Sequence, residues 1–210
     1  HLGKVFLAME IAMAIPLQIL LAIVALLPKG DEDERPIGLL PMPYRIWSKL
    51  QGRNLTDWEN GLGNFWDTAL QGSSALRAGL MRQLLDEIET GDQGVAMHIF
   101  WDLKKFYDSI SILRLIRLAK ELGYPLRALV IGMQMHLAPR IVKCRDAVSQ
   151  AQCPYKGIIA GCGQATRFTK AVLFFICQRI TEHNPRTTLA TYIDDITQSV
   201  RGLQYDLDEL

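Results

Sequence analysis

The stretch Thr187-Thr-Leu-Ala-Thr-Tyr-Ile-Asp-Asp-Ile-Thr-Gln-Ser-Val200 holds two β-prone runs, Thr187 to Ile193 and Ile196 to Val200, joined through Asp194 and Asp195. Threonine, isoleucine, valine and tyrosine suit a half-buried pleated strand, and a short polar join between such runs predicts a β-hairpin with acids at its tip. An Asp-Asp pair in a turn is most often no more than polar turn chemistry, so its meaning depends on what else the chain brings to it. A second run also ends on an acid. Val95-Ala-Met-His-Ile-Phe-Trp101 alternates as a strand, with Val95, Met97, Ile99 and Trp101 on one side and His98, Phe100 and Asp102 on the other. Asp102 and Asp194 are remote in sequence, and only the fold can make them neighbours. As neighbours they would suit Mg²⁺, which binds through one or two carboxylates, keeps several waters and completes its shell with substrate phosphates. Two such ions roughly 4 Å apart can activate an attacking hydroxyl and stabilise a leaving pyrophosphate.

Upstream of the first acid, Ser73 or Ser74 caps a helix in which Leu76, Leu80, Leu84 and Ile88 recur every four residues, stopping near Thr90-Gly91-Asp92. Downstream, Ser109 or Ser111 opens a helix with Ile112, Leu115, Ile116 and Ala119 on one face, ended by Gly123 and Pro125. A helix from Pro125 to about Leu137 and a β stretch around Arg140 to Val148 come next. The turn Lys156-Gly-Ile-Ile-Ala-Gly-Cys-Gly163 follows, then a helix marked by Phe168, Ala171, Val172 and Phe175 that reaches about Ile180. Near the start, Leu20 to Leu27 and Pro36 to Leu40 flank a charged turn and predict another hairpin, whose tip carries Lys29 and Arg35. Gln51 to Gly72 shows no steady period and reads as irregular. The expected fold is α+β, a small antiparallel sheet bearing the acids and backed by helices on one face.

The 210 residues include 49% hydrophobic side chains, and 23 Lys plus Arg stand against 22 Asp plus Glu. That composition excludes disorder, collagen-like repeats and coiled coil, and the near-neutral balance announces neither a nucleic-acid nor a membrane partner in bulk. Cys144, Cys153, Cys162 and Cys177 form no C-x-x-C pair and read as free thiols of a reducing compartment. The apolar stretch Ile11 to Leu27 carries Pro16 and Gln18 and falls short of the roughly 20 residues a span needs, so it reads as buried core rather than a membrane anchor. No convincing cleavage site follows it, and an intracellular, non-secreted protein is expected. The start at His1 and the run Asp206 to Leu210 read as the cut ends of something longer.

Four segments, taken in order, resemble one family. Phe100-Trp-Asp-Leu-Lys-Lys-Phe-Tyr-Asp-Ser-Ile110 resembles the first catalytic motif of reverse transcriptases, an aspartate followed by a basic or small pair and two aromatics. Thr191-Tyr-Ile-Asp-Asp-Ile196 resembles their second catalytic motif. Lys156 to Gly163 stands where that family keeps a glycine-rich primer and nucleotide loop. Leu26-Leu-Pro-Lys-Gly30, Arg35 to Leu40 and Tyr44-Arg-Ile-Trp47 look like the fingers of the non-LTR retrotransposon and group II intron branch.

The resemblance implies a polymerase palm with partial fingers. Residues 1–72 would be fingers and connecting segment and 73–210 the palm, with the thumb absent. It implies addition of deoxynucleoside triphosphates to the 3′-hydroxyl of a DNA primer on an RNA template, with two Mg²⁺ ions, for which Mn²⁺ can substitute, and no membrane. Asp102 and Asp194 would hold the ions with the carbonyl of Leu103, and Asp195 would be an auxiliary carboxylate. Lys29 and Arg35 would reach the triphosphate, and Gly161 would belong to the nucleotide loop. Tyr107, five residues after Asp102, looks like a steric gate against the 2′-hydroxyl of a ribonucleotide. Asp108 reads as a cap or ion-pair partner.

Departures from the pattern keep alternatives open. The family usually has Gln before the second glycine of the loop and Pro soon after it; here Ala160, Gly161, Cys162 and Gly163 stand there. No Lys or His follows Val200 to protonate a leaving pyrophosphate. A decayed domain that only binds nucleic acid or protein, an RNA-dependent RNA polymerase and a membrane-anchored module are the competing readings. Arg114, Arg117 and Lys120 read as a solvated helix face, whereas some of Lys104, Lys105, Arg140, Lys143, Arg145, Arg167 and Lys170 could track a phosphate backbone. Trp47, Trp58, Phe65 and Trp66 read as core before base-stacking platforms, and His98, His136 and His183 share no ligand spacing.

Overall fold

The structure, a computed structural model, describes residues 1–29, 33–70, 72–91 and 94–203. In chain order the elements are α1 (Leu2–Ala12), β1 (Ala22–Lys29), β2 (Asp33–Leu39), α2 (Met42–Leu50), α3 (Gly52–Gly61), α4 (Ala75–Thr90), β3 (Gly94–Trp101), α5 (Phe106–Ser109), α6 (Ile112–Glu121), α7 (Leu126–Leu137), β4 (Arg140–Cys144), β5 (Ala147–Val148), α8 (Ala165–His183), β6 (Thr188–Tyr192) and β7 (Asp195–Leu203). They build two compact units that interleave along the chain: His1–Leu62 with Lys105–Val172, and Gly63–Lys104 with Leu173–Leu210.

The first unit holds a sheet in the order β2-β1-β4-β5. β1 and β2 pair antiparallel from Ile23↔Leu39 to Lys29↔Asp33, as the flanking apolar runs predict, and β1 pairs parallel with β4. The tip residues 30–32 of the expected hairpin lie outside the described residues. The apolar stretch from Ile11 to Leu27 is not one element. α1 stops at Ala12, Met13 closes it with φ 51°, and Pro16 precedes a single 3-10 turn before β1 begins. Among the described residues no helix is long and apolar enough to cross a membrane. The core gathers Tyr44, Trp47, Leu55, Leu115, Leu129, Ile131, Met135 and Phe168, each fully buried.

Gln51 to Gly72 is not irregular throughout, since α3 occupies Gly52–Gly61. Its sequence gives little sign of helix because its anchors are distant. The indole of Trp58 stacks edge-on to Tyr124 at 4.7 Å and donates to the carbonyl of Leu122 at 2.8 Å. Glu59 accepts from Arg167 at 2.8 Å and Lys170 at 2.7 Å. That pairing also takes Arg167 and Lys170 out of the set of cations expected to follow a phosphate backbone. All four cysteines are free thiols.

The second unit holds the antiparallel sheet β3-β7-β6. Ser74 caps α4, accepting from the N–H of Arg77 at 3.2 Å, and Gly91 ends it with φ 52°. α4 lies on the His98 and Phe100 side of β3, and it does so through charge. Arg82 stacks 5.1 Å from the centre of the Phe100 ring and donates to Thr197, while Asp86 meets His98 at 3.0 Å and Arg201 at 2.6 Å. The leucine row of α4 is the outward face, with Leu76 73% and Ile88 67% exposed. His98 also bonds Ser199 at 2.8 Å. The resulting Ser-His-Asp row is a strut, since Ser199 is buried in the middle strand and paired on both sides, to His98 and Thr188. A cavity of about 400 Å³ between α4 and β6–β7, lined by Arg77, Met81, Leu85 and Ala190, contains none of the acids.

Candidate active site

Strand register assembles the acids. β7 pairs with β6 up to Tyr192↔Asp195, which leaves Ile193 and Asp194 as a two-residue turn. Ile193 takes φ 62°, the positive value that the first central residue of such a hairpin turn requires. A β-branched residue is uncommon there, and strain of this kind, about 1–3 kcal/mol, persists only where the surroundings hold it. Here the ladder on both sides of β7 does so. β3 pairs with β7 from Gly94↔Leu203 to Trp101↔Ile196. Asp102, one residue beyond Trp101, therefore comes level with Asp195, one residue before Ile196.

Asp102 and Asp195 are exposed and Asp194 is half-buried. Burial pushes the Asp194 carboxyl above the usual carboxylate range; its own backbone N–H opposes the rise, and the charges of Asp195 and Asp102 add to it. All three carboxylates thus sit within electrostatic reach of one another, in the second unit. Like charges so arranged are relieved by a bound cation, and an oxygen-only donor set suits a hard one. Among the described residues no three His, Cys, Asp or Glu side chains form a closed metal cage. The donors fit Mg²⁺, which needs one or two carboxylates from protein. Asp102 and Asp194 would be the two, and Leu103, the residue after Asp102, would offer its backbone carbonyl.

The four candidates for nucleotide contact lie in the first unit. Lys29 is exposed at the end of β1, and Arg35, also exposed, stands opposite Leu27. Because side chains alternate along a strand and directly opposed residues share a face, Lys29 and Arg35 project from the same side of the hairpin. Tyr107 lies in α5, which begins after Lys105 at φ 51°. The Tyr107 carbonyl accepts from the N–H of Ile158 at 2.9 Å, and that of Ile110 accepts from Gly157 at 2.8 Å. The glycine loop is thereby sewn to α5. It is also sewn to β2, where the N–H of Gly38 donates to the carbonyl of Ala160 at 3.0 Å. Gly161 takes φ 93°, and a Cβ there would lie 3.2 Å from the carbonyl oxygen of Gly38. The loop therefore joins the element that carries Arg35 to the element that carries Tyr107.

His136 and Arg140 also belong to this region, and nothing local in the sequence marks them for it. Their contacts to the loop, 23 and 17 positions away in the chain, leave no short-range signal. Asp108, expected as a cap or ion-pair partner, acts on Arg140, whose guanidinium burial depresses and whose charge Asp108 supports.

The family described as reverse transcriptase (RNA-dependent DNA polymerase) matches residues 27–210. No curated protein sequence matches the chain. Among solved structures, apo telomerase from Candida tropicalis truncated from its C-terminal domain superposes with a TM-score of 0.61 at 11% identity. The match covers 93% of this chain and 46% of that one, so the chain spans about half the length of that structure.

Proposed function

The chain belongs to the reverse transcriptase (RNA-dependent DNA polymerase) family, and we propose that it is the fingers-and-palm part of an enzyme that adds deoxynucleotides to a DNA primer on an RNA template. The observation that carries this reading is the register Trp101↔Ile196, which sets Asp102 beside the Asp194-Asp195 turn. Two Mg²⁺ ions, or Mn²⁺ in their place, would supply the charge that activates the primer hydroxyl and steadies the leaving pyrophosphate. Asp102, Asp194 and the Leu103 carbonyl hold that charge in place, and Asp195 tunes the field. Lys29 and Arg35 bind the triphosphate as fixed cations. Tyr107 lies under the incoming sugar and excludes a 2′-hydroxyl, with the backbone at Gly161 beside it. The fingers take residues 1–72 and the palm 73–210, and the fingers motifs favour the non-LTR retrotransposon and group II intron branch.

The test is primer extension by the full chain with Mg²⁺. Asp102→Asn and Asp194→Asn abolish it while circular dichroism and Tm stay near parental values. Parental extension by both variants ends the catalytic assignment.

A second reading, a domain that has kept the fold and lost the chemistry, is favoured by one observation. Where the family carries Gln and Pro, the loop carries Ala160, whose carbonyl is taken by Gly38, and Cys162, which is buried 3.2 Å from the Tyr44 hydroxyl. Neither side chain offers a polar group to a nucleotide. A parent chain that binds a primer–template yet neither extends it nor binds Mn²⁺ at the acids would establish this second reading.

A further inference from the structure

The backbone of the glycine loop is bonded at successive groups, and two of its partners are side chains of the α7–β4 segment. His136 is wholly buried, its ring edge-on to Phe168 at 5.4 Å, and its Nδ1 accepts the N–H of Ile159 at 2.9 Å. To accept there, the ring must be the neutral tautomer protonated at Nε2; among the described residues Nε2 has no hydrogen-bond partner. Arg140 donates through Nη2 to the carbonyl of Gly157 at 3.0 Å and to the carbonyl of His136 at 2.8 Å. One guanidinium thus ties the end of α7 to the loop, while the imidazole of α7 takes the N–H two residues further along. On the α5 side, Gly157 at φ 80° approaches so closely that a Cβ would lie 3.0 Å from the backbone of Asp108. A merely space-filling core histidine would leave the Ile159 amide to find its acceptor elsewhere. Here the imidazole is that acceptor, in a place where a buried N–H must have one.

We propose that His136 and Arg140 are positioning residues that hold the backbone of residues 157–159, and through it Gly161 and Tyr107, in the arrangement that receives the incoming nucleotide. The pair acts through the loop and touches no reacting atom. Its role in nucleotide binding rests on the polymerase reading above; the brace itself rests on the hydrogen bonds alone.

Both are tested with His136→Leu, which removes the acceptor, and His136→Asn, whose amide oxygen takes the place of Nδ1, in the full chain. Amide hydrogen exchange at Ile159 speeds by about tenfold or more in His136→Leu and returns toward the parental rate in His136→Asn, as expected for losing and regaining one buried bond. In primer extension the KM for the deoxynucleotide rises by about tenfold in His136→Leu with kcat changed less than about threefold, and His136→Asn restores it. Should His136→Leu fail to fold, Arg140→Gln, which loses the donor to the Gly157 carbonyl, gives faster exchange at the Ile158 amide of the same peptide unit and the same rise in KM. Parental exchange at Ile159 in a folded His136→Leu overturns the brace, and lowered kcat at unchanged KM reduces it to structural support. A parent chain with no extension counts against the proposed function, and the exchange rates still decide the brace.

Discussion

Trp101 of β3 lies opposite Ile196 of β7, and that pairing sets the level at which three carboxylates meet. Side chains alternate with a period of two, so a slip of one residue would turn Asp102 to the other face of the sheet. The β3–β7 ladder and the tight turn at Ile193-Asp194 therefore do chemical work by holding the register.

The first consequence is electrostatic. Because the charges of Asp102 and Asp195 add to the rise of Asp194, Asp102→Asn brings the Asp194 carboxyl down toward the ordinary carboxylate range. Carboxyl-carbon NMR titration of the parent and the variant reads this directly. An Asp194 titration unmoved by the substitution would mean the two groups do not share a field.

Much of this was legible in the sequence, and the misses have causes. Both hairpins, the strand ending at Asp102, and the helices capped by Ser74 and Ser111 follow from local propensity and turn chemistry, and they appear as expected. α3 was missed because Trp58 and Glu59 are anchored by Leu122, Tyr124, Arg167 and Lys170, partners no local window contains. The leucine row of α4 suggests a buried face, yet Arg82 and Asp86 meet the sheet, because a charged network with His98, Thr197 and Arg201 is available there. The acids were readable because they end strands. His136 and Arg140 were not, because their meaning lies in backbone groups of a distant loop.

Gly38 is a second point where the loop depends on close approach. A Cβ there would lie 1.9 Å from Cγ2 of Ile159 and 2.9 Å from the carbonyl oxygen of Ala160. Gly38→Ala should cost about 1–3 kcal/mol, the range for forcing atoms into a packed site, read as a lowered urea midpoint at unchanged m-value. Ile159→Ala in the same chain recovers part of the loss. An unshifted midpoint would show that β2 and the loop are not in contact.

Burial holds His136 down at about 3, against an ordinary value of 6.5. The folded protein keeps the ring neutral, whereas the unfolded chain takes up a proton below about pH 6.5. The stability tied to this group is therefore complete above pH 6.5 and is lost as pH falls toward 3, at up to about 1.4 kcal/mol per pH unit. Denaturation curves across that window should be steeper in pH for the parent than for His136→Asn. Equal slopes would place the ring in water.

In the proposed function Tyr107 is the residue that separates deoxynucleotide from ribonucleotide synthesis. Tyr107→Ala should relax discrimination against ribonucleotides by about tenfold or more, the scale on which removing a steric clash of 1–3 kcal/mol acts, measured as the ratio of kcat/KM values in primer extension. A parent that incorporates ribonucleotides as readily as deoxynucleotides would revive the RNA polymerase reading.

In the proposed function Asp102 and Asp194 share a divalent cation. Titration of the folded chain with Mn²⁺, followed by electron paramagnetic resonance, asks this without requiring turnover. Saturable binding by the parent, weakened about tenfold or more in both Asp102→Asn and Asp194→Asn, is the expected result for removing a carboxylate from such a site. Equal Mn²⁺ binding by the parent and by the doubly substituted chain would contradict it.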